Sequence, residues 1–187
     1  LVELLRELLK VEGQYWIRPF YIHPDTFPEG LIELMQADSR LLPYFDLPFQ
    51  HADKGVLTKM GRYGDKDAYL ALVERIRTAL PQAVIRSTFL VGFPGESSKE
   101  FNELLDFQAL ARIDWLGTFE YSREEQTAAF RRQTDDEFDK ARSTVRRRRV
   151  TVETRQNPIT AQRLDLMVGR TVDILLEEKV EGSNLWL

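Results

Sequence analysis

One alternation constrains most strongly what this chain can fold into. A short apolar run, a polar loop and an amphipathic helical stretch recur in that order along residues 1–134. The clearest run is VIRSTFLV at 84–91, rich in β-branched and apolar side chains, as a buried strand requires. It opens into Gly92-Phe93-Pro94-Gly95-Glu96 and then Ser97-Ser98-Lys99-Glu100. That last spacing predicts a capping box, a serine hydroxyl satisfying one orphan N–H while Glu100 reaches back. Phe101, Leu104 and Leu105 then start a buried helical stripe that runs to about Ala111. Upstream, Asp65 is positioned to cap a helix with the stripe Tyr69, Leu72, Val73, Ile76 and Leu80, which Pro81 stops. Further strands are expected at 15–22, 44–49 and 115–121, although Pro19 weakens the first at its own position. Helices are expected from Leu1 to the closing Gly13, at 28–36 and at 54–60. The alternation predicts parallel strands joined by right-handed crossovers. Four strands fall short of the eight that a closed (β/α)8 barrel needs, so the expected α/β fold is part of a barrel or a small open sheet.

From Thr134 the texture changes. Residues 135–155 are dense in charge and include Arg146-Arg147-Arg148-Arg149, which predicts a long exposed helix ended by Asn157-Pro158. GRTVDILLE at 169–177 alternates like a strand, and Glu181-Gly182-Ser183 reads as a turn. The expected organisation is therefore a partial barrel at 1–134, a charged connecting helix at 135–157 and the start of a small β domain at 158–187. The chain begins inside a helical pattern and ends directly after a turn signal, so a piece of a longer protein is expected.

Composition narrows the function classes. The 187 residues are 43% hydrophobic and 30% charged, enough for a globular core and too apolar for disorder. Lys and Arg number 26 against 30 Asp and Glu, a formal charge of −4, which argues against a protein that coats nucleic acid. No cysteine is present, so this chain holds no disulfide, thiolate metal site or cysteine nucleophile. No apolar run approaches the roughly 20 residues that span a bilayer. No membrane partner is expected, and a cytoplasmic location is.

In parallel α/β folds the ligand sits beyond the carboxyl ends of the strands. The residues there are His23-Pro24, Gln50-His51, the Gly92–Glu96 loop and Tyr121-Ser122, which include both histidines of the chain. Gly92 and Gly95 admit close backbone approach to a ligand at a helix N-terminus, or simply make a tight strand-to-helix turn. A phosphate loop is disfavoured, since no Gly-Lys-Ser/Thr follows. Gln50 and His51 offer an amide and an imidazole to a ligand, or form a capped loop before Asp53. Arg62 either grips a carboxylate bidentately or lies on the surface. The arginine run either meets nucleic acid or is a solvated face diluted by Asp135, Asp136, Glu137 and Asp139. Asp46, Asp106 and Asp114 show no paired-carboxylate spacing, and there is no metal-ligand cluster.

These segments carry a resemblance. PYFDLPFQH at 43–51, LTKMGR at 57–62, RSTFLVGFPGE at 86–96 and GTFEYSREEQTA at 117–128 occur in this order and spacing. Together they resemble the radical S-adenosylmethionine methylthiotransferases, from about Trp16 to the end of the chain. The family's transfer-RNA branch typically reads Gln-Ser-Gly-Ser and Ser-Thr-Asp where this chain has Gln50-His51-Ala52-Asp53 and Ser87-Thr88-Phe89. The chain is more similar to the branch that modifies an aspartate of small-ribosomal-subunit protein twelve. The resemblance implies a partial radical-SAM (β/α)6 barrel followed by the start of a TRAM β domain. It also implies S-adenosylmethionine and two 4Fe–4S clusters as cofactors, a methylthio group added to the aspartate β-carbon, and an electron donor. The TRAM domain would engage the substrate macromolecule, ribosomal RNA or transfer RNA included.

Carried over by position, Gln50 lies near the ribose and methionine moieties and Arg62 holds the methionine carboxylate. Thr88 stands where many relatives place an aspartate toward the ribose. Leu90 to Gly95, with Gly92 and Gly95 supplying backbone, face the adenine. His51 and Tyr121 are candidates on the substrate side. The family's Cys-x3-Cys-x2-Cys loop is absent, so the cluster ligands are expected outside this chain, which alone is expected to be inactive. Alternatives are a methylthiotransferase of transfer-RNA adenosine-37, a non-catalytic ribosome-binding module, and an ordinary α/β metabolite-binding domain.

Overall fold

The computed structural model describes residues 1–172, 174 and 178–184. The elements are α1 (Val2–Leu8), α2 (Leu31–Ala37), β1 (Tyr44–Asp46), α3 (Lys54–Lys59), α4 (Lys66–Ala79), β2 (Val84–Val91), α5 (Ser98–Ala111), β3 (Trp115–Glu120) and α6 (Asp135–Asp165). Single 3-10 turns lie at Pro24–Thr26 and Phe130–Arg132. The strands form one parallel sheet in the order β1-β2-β3, as the alternation predicts.

The helices form where their ends are satisfied. Asp65 Oδ1 accepts from Ala68 N at 2.9 Å, and Ser97 with Glu100 makes the predicted box, Glu100 Oε2 accepting from Ser97 N at 2.8 Å. All five stripe residues of 69–80 are buried. They pack with α5 against one face of the sheet, which carries Ile85, Phe89 and Val91. At the centre the Phe49 ring packs tilted against Tyr69 at 4.7 Å and meets Phe107 edge-on at 5.1 Å. Each such buried side chain stabilises by roughly 1.5–3 kcal/mol relative to exposure. The opposite face of the sheet carries Arg86, Thr88 and Leu90 of β2 beside Trp115, Gly117 and Phe119 of β3, their registered partners.

The strand expected at 15–22 does not form. Ile17 bridges Leu41, and Ile22 N donates to Asp46 O at 2.9 Å. Between these points Pro19 has no N–H to give, and Tyr21 takes a left-handed φ of +56°, so no ladder forms there, although Tyr21 N reaches Asp46 Oδ2 and Phe20 and Arg18 pack on Tyr44. β1 is shorter than expected for a related reason, the break at Pro48. There the Ser87 hydroxyl substitutes for the ladder, donating to Leu47 O at 2.7 Å and accepting from Phe49 N at 3.3 Å, before pairing resumes between Gln50 and Phe89.

α6 runs through Pro158, where it was expected to stop. A mid-helix proline costs about 3 kcal/mol through its missing N–H and its clash with the preceding turn. Docking of the surrounding turns offsets that cost. Gln156 Nε2 donates to Ile113 O at 2.7 Å, Thr160 Oγ1 to Asp114 O at 2.8 Å, and Arg163 Nε to Asp114 Oδ1 at 2.6 Å. The expected start of a β domain at 158 therefore falls within α6. Of the strand expected at 169–177, residues 173 and 175–177 lie outside the described residues, and Gly169 closes a turn after α6. No helix among the described residues is long and apolar enough to cross a membrane.

Candidate functional site

Gln50 is placed by the resumed pairing after Pro48: its N–H donates to Thr88 O at 2.8 Å, and its carbonyl accepts from Leu90 N at 2.7 Å. It holds a left-handed φ of +66°, a conformation that costs a non-glycine residue roughly 1–2 kcal/mol. The side-chain amide reaches Thr88 Oγ1 at 3.3 Å. An amide and the buried Thr88 hydroxyl thus meet where the chain after β1 rejoins β2, beside the half-buried Leu90. Arg62 joins the same loop from the other side. Its Nη1 donates to Pro48 O at 2.9 Å, two residues before Gln50.

Behind Arg62 stands Asp25, whose carboxylate accepts from Tyr69 Oη at 2.6 Å and from Tyr63 N at 2.9 Å. Burial pushes the Asp25 carboxyl up. The Tyr69 hydroxyl, the Tyr63 N–H and the charges of His23 and Arg62 outweigh it and hold the group below the usual range.

His51 is fully buried. Its Nδ1 accepts from Asp53 N at 3.0 Å, so the neutral ring carries its proton on Nε2. That Nε2 has no hydrogen-bond partner among the described residues and lies 3.8 Å from Glu96 Oε2. Burial is the main cause that brings the imidazole down to about 4, against the opposing pull of Asp53 and Glu100. Asp53, besides holding this ring, caps α3 by accepting from Val56 N at 2.8 Å.

Glu96 is equally enclosed. Burial pushes its carboxyl above the usual range, against Arg148 and the N–H groups of Gly92 and Phe93. Arg148 Nη1 donates to Glu96 Oε1 at 2.6 Å. The arginine run of α6 is therefore not uniformly solvated. Arg148 is turned into the strand-end loops and Arg149 pairs with Glu120, while Arg146 and Arg147 face solvent.

The expected close approach at Gly92 and Gly95 is real, but the neighbours are protein. Both take positive φ, and a Cβ at Gly92 would lie 2.4 Å from Val145 of α6, one at Gly95 2.5 Å from Lys59. Tyr121 lies in a small second apolar cluster with Val56 and Phe93, and its hydroxyl is buried with no partner among the described residues. The site residues thus divide: Gln50, Leu90 and the buried Thr88 lie on the open side of the sheet, His51, Glu96, Gly92, Gly95 and Tyr121 sit in the packing behind it, and Arg62 lies beside Pro48, Tyr69 and Asp25. His23 is half-exposed beside Asp25, apart from His51.

Sequence reasoning did not find Arg148, because four consecutive arginines look alike until the helix phase is known. It also passed over the second capping box, Thr134 with Glu137, whose spacing is plain in the sequence.

The donor set fits S-adenosylmethionine in kind: a guanidinium for a carboxylate, an amide and a hydroxyl for ribose oxygens, and an apolar ledge for a base. It does not fit an iron–sulfur cluster. The chain has no cysteine, and among the described residues no group of three His, Asp or Glu could hold a metal ion.

No family model matches the chain. Ribosomal protein uS12 methylthiotransferase RimO of Treponema denticola is 37% identical over 188 residues, covering 97% of this chain and 39% of that protein. The Chlamydia felis RimO is 39% identical over 186 residues, and that of Clostridioides difficile is 39% identical over 184 residues, covering 99% and 98% of the chain and 39% and 40% of their own lengths. Among solved structures, coproporphyrinogen III oxidase (HemN) of Escherichia coli, a radical SAM enzyme, superposes with a TM-score of 0.61 at 17% identity. That match covers 87% of this chain and 36% of HemN and supports the fold alone, a partial radical-SAM barrel.

Proposed function

Since its sequence places the chain in the RimO family, of whose members it spans about two fifths, we propose that it is the cofactor-facing part of a radical S-adenosylmethionine methylthiotransferase acting on ribosomal protein uS12. The observation that supports this reading best is the match of nearly the whole chain to relatives that share one named activity. When bound, S-adenosylmethionine supplies a cleavable carbon–sulfur bond and a methyl group.

The chain's own residues bind and orient it. Arg62, anchored through Nη1 on Pro48 O and set beside Tyr69 and Asp25, is the cation that meets the methionine carboxylate. Gln50 and Thr88 hold the ribose oxygens, and the strained Gln50 backbone is the cost of directing that amide to the open face. Leu90 offers an apolar ledge to the adenine. Tyr121 and His51 are buried behind these groups, so they act on the substrate side only through the packing that supports it. The cluster ligands, the electron donor's contacts and the sulfur-supplying region belong to sequence outside this chain, and residues 158–187 lead into the domain that engages the ribosomal substrate.

The test is expression of the longer protein in cells that lack their own uS12 methylthiotransferase. The expected result is a methylthio group on an aspartate of uS12, seen by mass spectrometry and lost with Arg62→Ala. Unmodified uS12 together with methylthiolated adenosine-37 in transfer RNA would move the protein to the other branch.

A further inference from the structure

Arg148 sits on a helix far from the strand ends in sequence, yet it closes the loop between β2 and α5. Its Nη1 donates to Glu96 Oε1 at 2.6 Å and to the Glu96 carbonyl at 2.9 Å. The other carboxylate oxygen, Oε2, accepts from Gly92 N at 2.7 Å. One buried side chain thus ties the first residue of the loop to its last, and Arg148 holds that side chain from outside. A turn earlier on α6, Val145 fills the space over Gly92 so closely that only glycine fits there. The Arg148 guanidinium also lies 5.1 Å from the Phe101 ring centroid, which fixes it against α5. His51 completes the enclosure, its Nε2 at 3.8 Å from Glu96 Oε2. Gly92 directly follows the β2 residues that carry Thr88 and Leu90 to the open face, so a shift of this loop moves the end of that strand.

We propose that Arg148 is a positioning residue: through Glu96 it sets the Gly92–Glu96 loop, and with it the Thr88 and Leu90 surface, so that the seating of α6 controls how the adenosyl group is held. This rests on the cofactor reading given above. It assigns the arginine run a task unlike phosphate binding, in which Arg148 holds the Gly92–Glu96 loop, Arg149 pairs with Glu120, and only Arg146 and Arg147 face solvent. Coupling of this kind gives the region after α6, which leads toward the substrate-engaging domain, a mechanical connection to the cofactor surface.

The test compares wild type, Arg148→Met and Arg148→Lys in the full-length, cluster-loaded protein. Because removing one member of a buried ion pair strands its partner, the double variant Glu96→Gln with Arg148→Met is measured beside them. Two readouts are used, equilibrium binding of S-adenosylhomocysteine and hydrogen exchange of the Gly92 amide relative to the Val152 amide in the middle of α6. Arg148→Met and the double variant are expected to weaken binding about tenfold, with partial rescue by Arg148→Lys. They are also expected to speed exchange at Gly92 and leave Val152 protected. Unchanged binding, or exchange that rises equally at both amides, overturns the proposal, since either marks Arg148 as a general stabiliser only. Failure of the wild type to bind S-adenosylhomocysteine overturns the cofactor reading and this proposal together; binding that the variants leave intact overturns this proposal alone.

Discussion

His51 shows how a single buried ring makes stability depend on pH. Its folded value is about 4 against an ordinary 6.5, because burial disfavours the cation. Below pH 6.5 the unfolded chain therefore takes up a proton that the folded chain refuses, and stability falls until about pH 4, where the loss levels off. The full contribution is roughly 3 kcal/mol, of which about 2 kcal/mol is lost by about pH 5. Glu96 acts in the opposite sense, since its folded carboxyl lies above the usual range. The comparison that isolates His51 is urea unfolding of wild type and His51→Asn at about pH 7.5 and pH 5, the asparagine keeping an acceptor for Asp53 N. The difference between the two proteins is expected to shrink at the lower pH; equal pH dependence would remove His51 as its source. At this scale the sequence disclosed much. The caps at Asp65 and Ser97 were legible because capping is local chemistry. The inward turn of Arg148 was not, because it depends on the phase and seating of a helix whose partner lies 52 residues away.

Among the elements, α6 departs furthest from its sequence. Proline argues for a break at 158, and local propensity alone would put one there. Tertiary contacts on the C-terminal half override it, and Gln156 is their hub. Its Nε2 donates to Ile113 O at 2.7 Å and Thr160 Oγ1 at 3.0 Å, and its Oε1 accepts from Gln108 Nε2 at 3.3 Å, all in buried or partly buried surroundings. Gln156→Ala leaves a buried carbonyl and a buried amide without this partner, and about 2–3 kcal/mol of stability should go with it. Chemical unfolding measures the loss, and amides from Gln156 to Asp165 should show it first as lowered exchange protection. A change below about 0.5 kcal/mol would mean that water replaces the side chain without penalty. The first expected strand failed for the reverse reason. There the propensity of an aromatic, β-branched segment favoured a strand, and the ladder was defeated by one missing N–H at Pro19 and one left-handed residue at Tyr21.

The molecule as a whole has one finished face and one open face. Helices cover Ile85, Phe89 and Val91, while Trp115 is 47% exposed and Phe119 57% exposed on the other side, with Tyr21 at 77%. The stripe of α1 is likewise open: Leu4 is 60% exposed and only Leu5 of that helix is buried. β3 is an edge strand with no paired neighbour on its far side among the described residues. Such a face and edge favour association. The chain in isolation should self-associate in a concentration-dependent way, and Phe119→Lys should reduce this by light scattering without lowering the unfolding midpoint by more than a few degrees. A monodisperse wild-type monomer that binds no apolar dye would contradict this. The parallel alternation and the openness of the sheet were legible in the sequence, since its periodicities are regular and its strands too few to close a barrel, whereas the loss of the 15–22 strand was not. An unpaired edge is also a template. Main-chain groups on β3 offer a register to an added strand, and Trp115 and Phe119 choose its facing, so a separate strand-bearing chain can be paired with this edge in trans, with assembly itself as the reporter.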